Sequence, residues 1–232
     1  MKRYAFERLK AWKENPNRKP LVIRGARQVG KTWLMREFAK QFYKKTAYIS
    51  FVDTPDAKNI FEDNYNLDNI LLGLNVLTNV QITPHDTLII IDEIQECERA
   101  LNALKFFKEN APDYHIIAAG SLLGVAVRQK QFSFPVGQVD FLNLYPLSFC
   151  EFLDAIGENQ LSELVLDKNW AVLQNFQDKC INLLKQYMFV GGMPEAVKSF
   201  ADNKDMAEVR RLQNAIIAGY KEDFSKYTQS YN

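Results

Sequence analysis

Cysteine and histidine are scarce in this chain of 232 residues: Cys97, Cys150 and Cys180, with His85 and His115 as the two histidines. The cysteines lie far apart without C-x-x-C spacing, so no zinc site is expected and free thiols fit a reducing compartment. An excess of either charge is also missing, with 29 Lys and Arg against 28 Asp and Glu. Net charge therefore favours no nucleic-acid partner, and a basic patch would have to come from clustering. The short basic pairs Lys2-Arg3 and Arg210-Arg211 read as solvated helix faces. No apolar run approaches the roughly 20 residues that span a bilayer. Met1-Lys2-Arg3-Tyr4 lacks the apolar core of a signal peptide. The expectations are no membrane association and a cytoplasmic location. Internal repeats and low-complexity segments are absent as well.

What is present is ordinary in bulk and specific in detail. A hydrophobic fraction of 47% and a charged fraction of 25% suit a globular protein, and the length suits an α/β core with a smaller helical unit. The specific stretch is Gly25-Ala26-Arg27-Gln28-Val29-Gly30-Lys31-Thr32, which fits G-x-x-x-x-G-K-[ST]. It follows the apolar run Leu21-Val22-Ile23 and opens an amphipathic segment, the context of a phosphate-binding loop. Gly25 and Gly30 let the backbone form a concave nest of N–H groups, and the following helix adds its N-terminal partial charge. Lys31 is placed to reach β- and γ-phosphates, and the Thr32 hydroxyl to ligate Mg²⁺. A second motif, Leu88-Ile89-Ile90-Ile91-Asp92-Glu93, reads as a strand buried on both faces that ends in two carboxylates. One carboxylate can hold the metal shell, and its neighbour, facing the other way, can polarise an attacking water. The pair points to a nucleoside triphosphatase.

Strand-like runs at 21–23, 47–52, 87–92, 114–121 and 139–144 alternate with helical stretches, among them 4–12 and the segments marked by Leu34, Phe38 and Phe42 and by Ala100, Leu101, Leu104 and Phe107. This order predicts a parallel, doubly wound α/β sheet. From about residue 146 the periodicity becomes helical. Phe149, Phe152, Leu153 and Ile156 mark one helix, and Phe176, Cys180, Leu184 and Tyr187 the apolar face of a longer one. Pro194 is placed to start another, and Leu212, Ile216, Tyr220 and Phe224 mark the last. The expected organisation is a core over 1–145, then an all-helical lid with the start of a truncated C-terminal region over 146–232.

Five motifs in order carry a family resemblance: residues 23–32 around the loop, Ile91-Asp92-Glu93-Ile94-Gln95, Ala119-Gly120-Ser121, Tyr145-Pro146-Leu147-Ser148-Phe149 with Glu151-Phe152, and Gly191-Gly192-Met193-Pro194-Glu195. Together they resemble a prokaryotic family of AAA+ superfamily ATPases over nearly the whole chain. The resemblance implies a sheet in which the strand ending at Ser121 lies between the loop strand and the Asp92 strand, followed by a helical lid. Family members usually continue into a C-terminal region of unknown function, sometimes likened to restriction-endonuclease folds. The sequence ends about where that region would begin.

On matching positions the resemblance implies that Lys31 and Thr32 bind phosphate and Mg²⁺, that Asp92 supports the metal, and that Glu93 is the general base. The nucleotide-binding set is Gly25, Ala26, Arg27, Gln28, Val29, Gly30, Lys31, Thr32 and Trp33, and the catalytic set Glu93, Ser121 and Lys31. Each reading has a plain competitor. Glu93 suits a helix cap, and Ser121 is either a polar sensor or an N-cap before Leu122-Leu123. Arg27 approaches phosphate or faces solvent, and Asp53 lies on the ligand edge or simply forms a turn before Thr54-Pro55. Gly191-Gly192 is a lid hinge, part of an adenine pocket, or a helix stop. Phe132, Phe134, Phe141, Phe149 and Phe152 read as core sooner than as base-stacking platforms. Arg128, and less so Arg99, are candidates for an arginine supplied across a subunit interface.

The leading expectation is Mg²⁺-dependent ATP hydrolysis coupled to lid movement, acting on a protein or nucleic acid the sequence does not name, in a possible homo-oligomer. The alternative is a slow ATP-dependent switch or scaffold in nucleic-acid or defence-related processes. A small-molecule kinase is disfavoured because Asp92-Glu93 suits activating water. A GTPase is disfavoured because Asn203-Lys204-Asp205-Met206 lacks the final Asp of N-K-x-D.

Overall fold

Five short runs of β-formers form one parallel sheet in the computed structural model, which describes residues 1–62, 65–121 and 137–228, with side chains through residue 222. The strands are β1 (Leu21–Arg24), β2 (Lys45–Ser50), β3 (Thr87–Asp92), β4 (His115–Gly120) and β5 (Asp140–Asn143). Their spatial order is β2-β3-β4-β1-β5, with every pair parallel. The strand before Ser121 therefore does lie between the loop strand and the Asp92 strand. All six residues of β3 and all six of β4 are buried, the pattern of strands covered on both faces.

The helices are α1 (Ala5–Glu14), α2 (Lys31–Phe42), α3 (Leu67–Thr78), α4 (Glu98–Asn110), α5 (Phe149–Ala155), α6 (Asn159–Leu166), α7 (Trp170–Leu173), α8 (Gln177–Val190), α9 (Pro194–Asn203) and α10 (Met206–Thr228). The chain divides into two compact units. One comprises Ala5–Ala26 and Gly30–Leu144, the sheet with α1–α4. The other comprises Tyr145–Asn232 together with Met1–Tyr4 and Arg27–Val29. In the sheet unit, Ile49, Phe51, Phe61, Ile89, Ile91, Leu101, Leu104 and Phe107 form one continuous apolar core.

Strand β2 runs earlier than its pattern predicts, over Lys45–Ser50 instead of 47–52. Pairing of Lys45 with Thr87 extends its start. At its end, the Thr54 N–H binds the Ser50 carbonyl (2.8 Å) and the Asp53 N–H binds Ser50 Oγ (3.2 Å), turning the chain.

The helical unit has two apolar clusters, one of Leu147, Phe152, Val190, Ala196, Val197, Phe200 and Val209, the other of Leu153, Leu161, Leu173 and Leu183. Helix α5 opens with a capping box: Ser148 Oγ accepts the Glu151 N–H at 3.2 Å, and Glu151 Oε2 accepts the Ser148 N–H at 2.9 Å. Glu151 Oε1 meets Arg3 Nε at 3.1 Å, and both side chains are buried. Arg3 also donates to the Val29 and Tyr145 carbonyls (3.0 and 2.6 Å). The expectation of a solvated Lys2-Arg3 face is thus corrected at Arg3. Burial of its charge is tolerable because the guanidinium has a carboxylate and two carbonyls to receive its protons. Among the expected apolar positions of α8, Phe176 and Leu184 are exposed and Leu183 and Val190 take the buried face, a shift of the stripe by about one residue.

Gly191 ends α8 at φ +73°, its N–H bound to the Tyr187 carbonyl at 2.7 Å. At Gly192 a Cβ would stand 2.3 Å from the Leu147 carbonyl oxygen. The chain there lies against Pro146 and Leu147, and the Leu147 N–H donates to the Gly192 carbonyl at 2.7 Å. The helix-stop reading accounts for Gly191, and close backbone approach accounts for Gly192.

Candidate functional site

In an open parallel sheet the carboxyl ends of the strands face the ligand crevice. Here that edge carries the loop after β1, the Asp92-Glu93 pair at the end of β3, and Ser121 just beyond β4. Helix α2 begins at Lys31 and packs across β2, β3 and β4, which brings its first turn to the end of β3.

The loop has the alternating backbone of an anion nest, with Gln28 at φ +65° and Gly30 at φ +90°. Gly30 is required there, since a side chain at that angle is strained. Lys31 is 6% exposed, and its ammonium donates to the carbonyls of Gly25 (3.0 Å) and Ala26 (2.9 Å). The exposed residue Arg27 offers its carbonyl to the Tyr220 hydroxyl at 2.6 Å. Gln28 is exposed and Val29 fully buried. Trp33, at the surface, sets its ring edgewise to Phe6 at 6.2 Å between centroids.

Asp92 is 3% exposed and its carboxylate is held from three sides. Thr32 Oγ1 donates to Oδ2 at 2.5 Å, the Tyr48 hydroxyl donates to the same oxygen at 3.1 Å, and the Glu93 N–H donates to Oδ1 at 3.0 Å. Burial, with the Asp92 charge beside it, raises the Tyr48 phenol above its ordinary pKa. The Arg36 guanidinium lies over the Tyr48 ring at 4.0 Å.

Glu93 adopts the left-handed region at φ +50°, rare outside glycine and a mark of a constrained turn. It precedes the short 3₁₀ turn Ile94–Glu96 but makes no side-chain cap bond to it. Its Oε2 instead receives Gln95 Nε2 at 2.7 Å, with Ser121 Oγ at 3.4 Å. Lys31, Thr32, Asp92, Glu93 and Ser121 thus gather at one sheet edge with contacts linking Thr32 to Asp92 and Ser121 to Glu93.

Other candidates fall elsewhere. Asp53 is exposed in the turn after β2. The Arg99 guanidinium is bonded to the Glu62 carbonyl. Phe152 is core, and Phe141 stacks under the Arg24 guanidinium at 3.4 Å. Arg128, Phe132 and Phe134 lie outside the described residues. Tyr48 and Arg36 escaped the sequence reading, and Gln95 entered it only as the end of a motif, without a role. Gln95 carried a signal, its place two residues after Glu93, whereas Tyr48 carried none because its contact depends on strand register.

A loop of this sequence leaving a central parallel strand, with a carboxylate pair ending a nearby one, defines the fold class of phosphate-loop ATPases. The chain belongs to the family described as AAA domain, whose model matches residues 17–153. A second model, described as a domain of unknown function (DUF8612), matches residues 181–232, so a further family-defined region starts within α8. The AAA+ resemblance of the motifs and these matches agree. No curated protein matches the sequence closely. Among solved structures, the Walker-type ATPase PABY2304 of Pyrococcus abyssi is similar, with a TM-score of 0.56 and 14% identity over 97% of this chain and 75% of that one. Drosophila ORC bound to DNA gives 0.49 and 17% over 91% and 66%, and Aeropyrum pernix ORC2 in its ADPNP–ADP complexes 0.40 and 17% over 67% and 50%. At 14% identity the first of these shows a likeness of fold. No helix among the described residues is long and apolar enough to cross a membrane.

Proposed function

We propose that the chain binds ATP with Mg²⁺ at the carboxyl edge of its sheet, hydrolyses it, and couples nucleotide state to movement of the helical unit as a lid. The observation that carries this reading is the Thr32 Oγ1–Asp92 Oδ2 contact of 2.5 Å beside a loop ending in Lys31. Hydroxyl and carboxylate oxygens are the hard donors that Mg²⁺ accepts alongside its retained waters, so the donor set fits the ion. When bound, held by Thr32 and Asp92, the ion would offset the negative charge of the phosphates.

The chain's own residues supply the rest. Lys31 exchanges the Gly25 and Ala26 carbonyls for β- and γ-phosphate oxygens. The loop backbone and the first turn of α2, including the Trp33 amide, face the phosphates with N–H groups. Glu93 takes a proton from water as the water oxygen bonds to the γ-phosphorus. The bond from that phosphorus to the β–γ bridging oxygen breaks, and ADP and phosphate leave. Ser121, next to Glu93, orients the water or the γ-phosphate.

A slow switch or scaffold is the second reading, favoured by one observation. Gln95 donates to Glu93 Oε2, so the carboxylate oxygen that would take the proton is already engaged. Phosphate release by the purified chain, alone and with DNA, RNA or unfolded protein, separates the two. Turnover that one of these stimulates supports hydrolysis coupled to lid movement and names its partner class. Stoichiometric ATP binding with no turnover under any condition supports the switch. Specific activity that rises with concentration would add a homo-oligomer, and constant activity from nanomolar to micromolar chain would remove it. A cytoplasmic setting fits either reading.

A further inference from the structure

Tyr48 and Arg36 have no place in the motifs, yet they meet the most buried carboxylate of the site. In the parallel register Tyr48 lies opposite Ile90. Side chains alternate along a strand, so Tyr48 shares its face with Ile90 and with Asp92 two residues on. The long phenol spans the diagonal, and its hydroxyl reaches Asp92 Oδ2 at 3.1 Å. That oxygen is the one Thr32 Oγ1 holds at 2.5 Å. Four residues after Thr32, and so on the same side of α2, Arg36 lays its guanidinium 4.0 Å over the Tyr48 ring. The Asp92 carboxylate is thereby fixed from β2, from α2 and from its own following amide.

We propose that Tyr48 is a positioning residue for the metal side of the nucleotide site, its hydroxyl setting the Asp92 carboxylate against Thr32 and Arg36 steadying its ring. The inference rests on the reading that Thr32 and Asp92 face Mg²⁺. A carboxylate left to rotate must be reordered whenever the ion binds, and loss of an outer-shell partner typically lowers metal affinity about 10–100-fold. Tyr48→Phe removes the oxygen and keeps the ring and its stack, so packing is preserved.

The test is calorimetric binding of the β,γ-imido analogue of ATP, first in EDTA and then across a MgCl₂ titration, for the wild type, Tyr48→Phe, Arg36→Gln and Asp92→Asn. Tyr48→Phe is expected to bind the analogue in EDTA within about twofold of wild type. Its Mg²⁺ midpoint should rise about tenfold or more, the low end of that outer-shell range. Arg36→Gln should shift the midpoint in the same direction by less. A merely structural Tyr48 would change the melting temperature without moving the midpoint. A wild-type midpoint in Tyr48→Phe overturns the proposal while Asp92→Asn still shifts. If neither the wild type nor Asp92→Asn shows Mg²⁺ dependence, the metal reading of Thr32 and Asp92 falls, and this inference with it.

Discussion

Lys31, Asp92 and Glu93 lie at one sheet edge, and the proposed function gives them different tasks that single substitutions separate. Buried Lys31 donates to two loop carbonyls, and those donors are the ones phosphate would receive. Lys31→Ala is expected to lose roughly 1.5–3 kcal/mol of ATP affinity, a charge-assisted contact's worth. Titration with fluorescent ATP reads this, and an unchanged dissociation constant would remove the loop from the nucleotide site. Glu93→Gln keeps size and polarity but cannot accept a proton. Binding is expected to persist while hydrolysis falls by about 10²–10⁴. Asp92→Asn should weaken binding and turnover together, since Thr32 loses its charged acceptor. Wild-type phosphate release by Glu93→Gln would leave Glu93 with no catalytic part and favour the switch. That these residues gather at one sheet edge was legible because motif spacing is local. Tyr48 was not, because which residue of β2 faces Asp92 depends on a register between strands some forty residues apart.

At the scale of elements, β3 was the most legible, since a run of four apolar β-formers admits one buried strand. Strand β2 was less so, because its last turn is decided by Ser50 bonds that no apolar pattern announces. The amino end of β4 carries a feature with a measurable consequence. His115 packs against Trp12, Tyr43 and His85, with its Nδ1 2.6 Å from the Tyr43 hydroxyl. Burial first, then the positive charges of Arg18, His85 and Lys13, lowers its pKa from 6.5 to about 4. The unfolded chain therefore binds the proton at higher pH than the folded one. This contribution is complete above about pH 6.5, declines as pH falls towards 4, and is on the order of 3 kcal/mol. Urea midpoints at pH 7.5, 5.5 and 4.5 should fall more steeply for wild type than for His115→Gln. Parallel slopes would mean that other groups carry the acid sensitivity.

The junction after α8 gives the second prediction at this scale. Gly192→Ala would drive a methyl into the Leu147 carbonyl, and the overpacking should cost about 1–3 kcal/mol of stability. Denaturant unfolding followed by far-ultraviolet circular dichroism would report it. Gly191→Ala should cost about 1–3 kcal/mol, because φ +73° with ψ −171° is a region essentially only glycine adopts. Equal and negligible effects at both positions would mean that this crossing relaxes freely.

For the whole molecule, parallel strand direction followed from alternation and the place of β4 from the family resemblance, but the positions of β2 and β5 and the membership of the helical unit did not. Nothing in the local pattern of Met1–Tyr4 or Arg27–Val29 says that they pack with residues 145–232, because that grouping is made by contacts distant in sequence. The buried Arg3–Glu151 pair is the clearest of these. A gene fragment encoding only residues 145–232 would retain Glu151 and leave its guanidinium partner behind. Removing one member of a buried ion pair commonly costs about 3–5 kcal/mol, a large share of what a unit of this size has in reserve. Such a fragment is expected to give a broad, weakly cooperative thermal transition, and a fragment that melts as sharply as the full chain would refute this. In the language of protein engineering, the helical unit is not a cassette: it can be swapped or grafted only with its distant N-terminal arginine carried along.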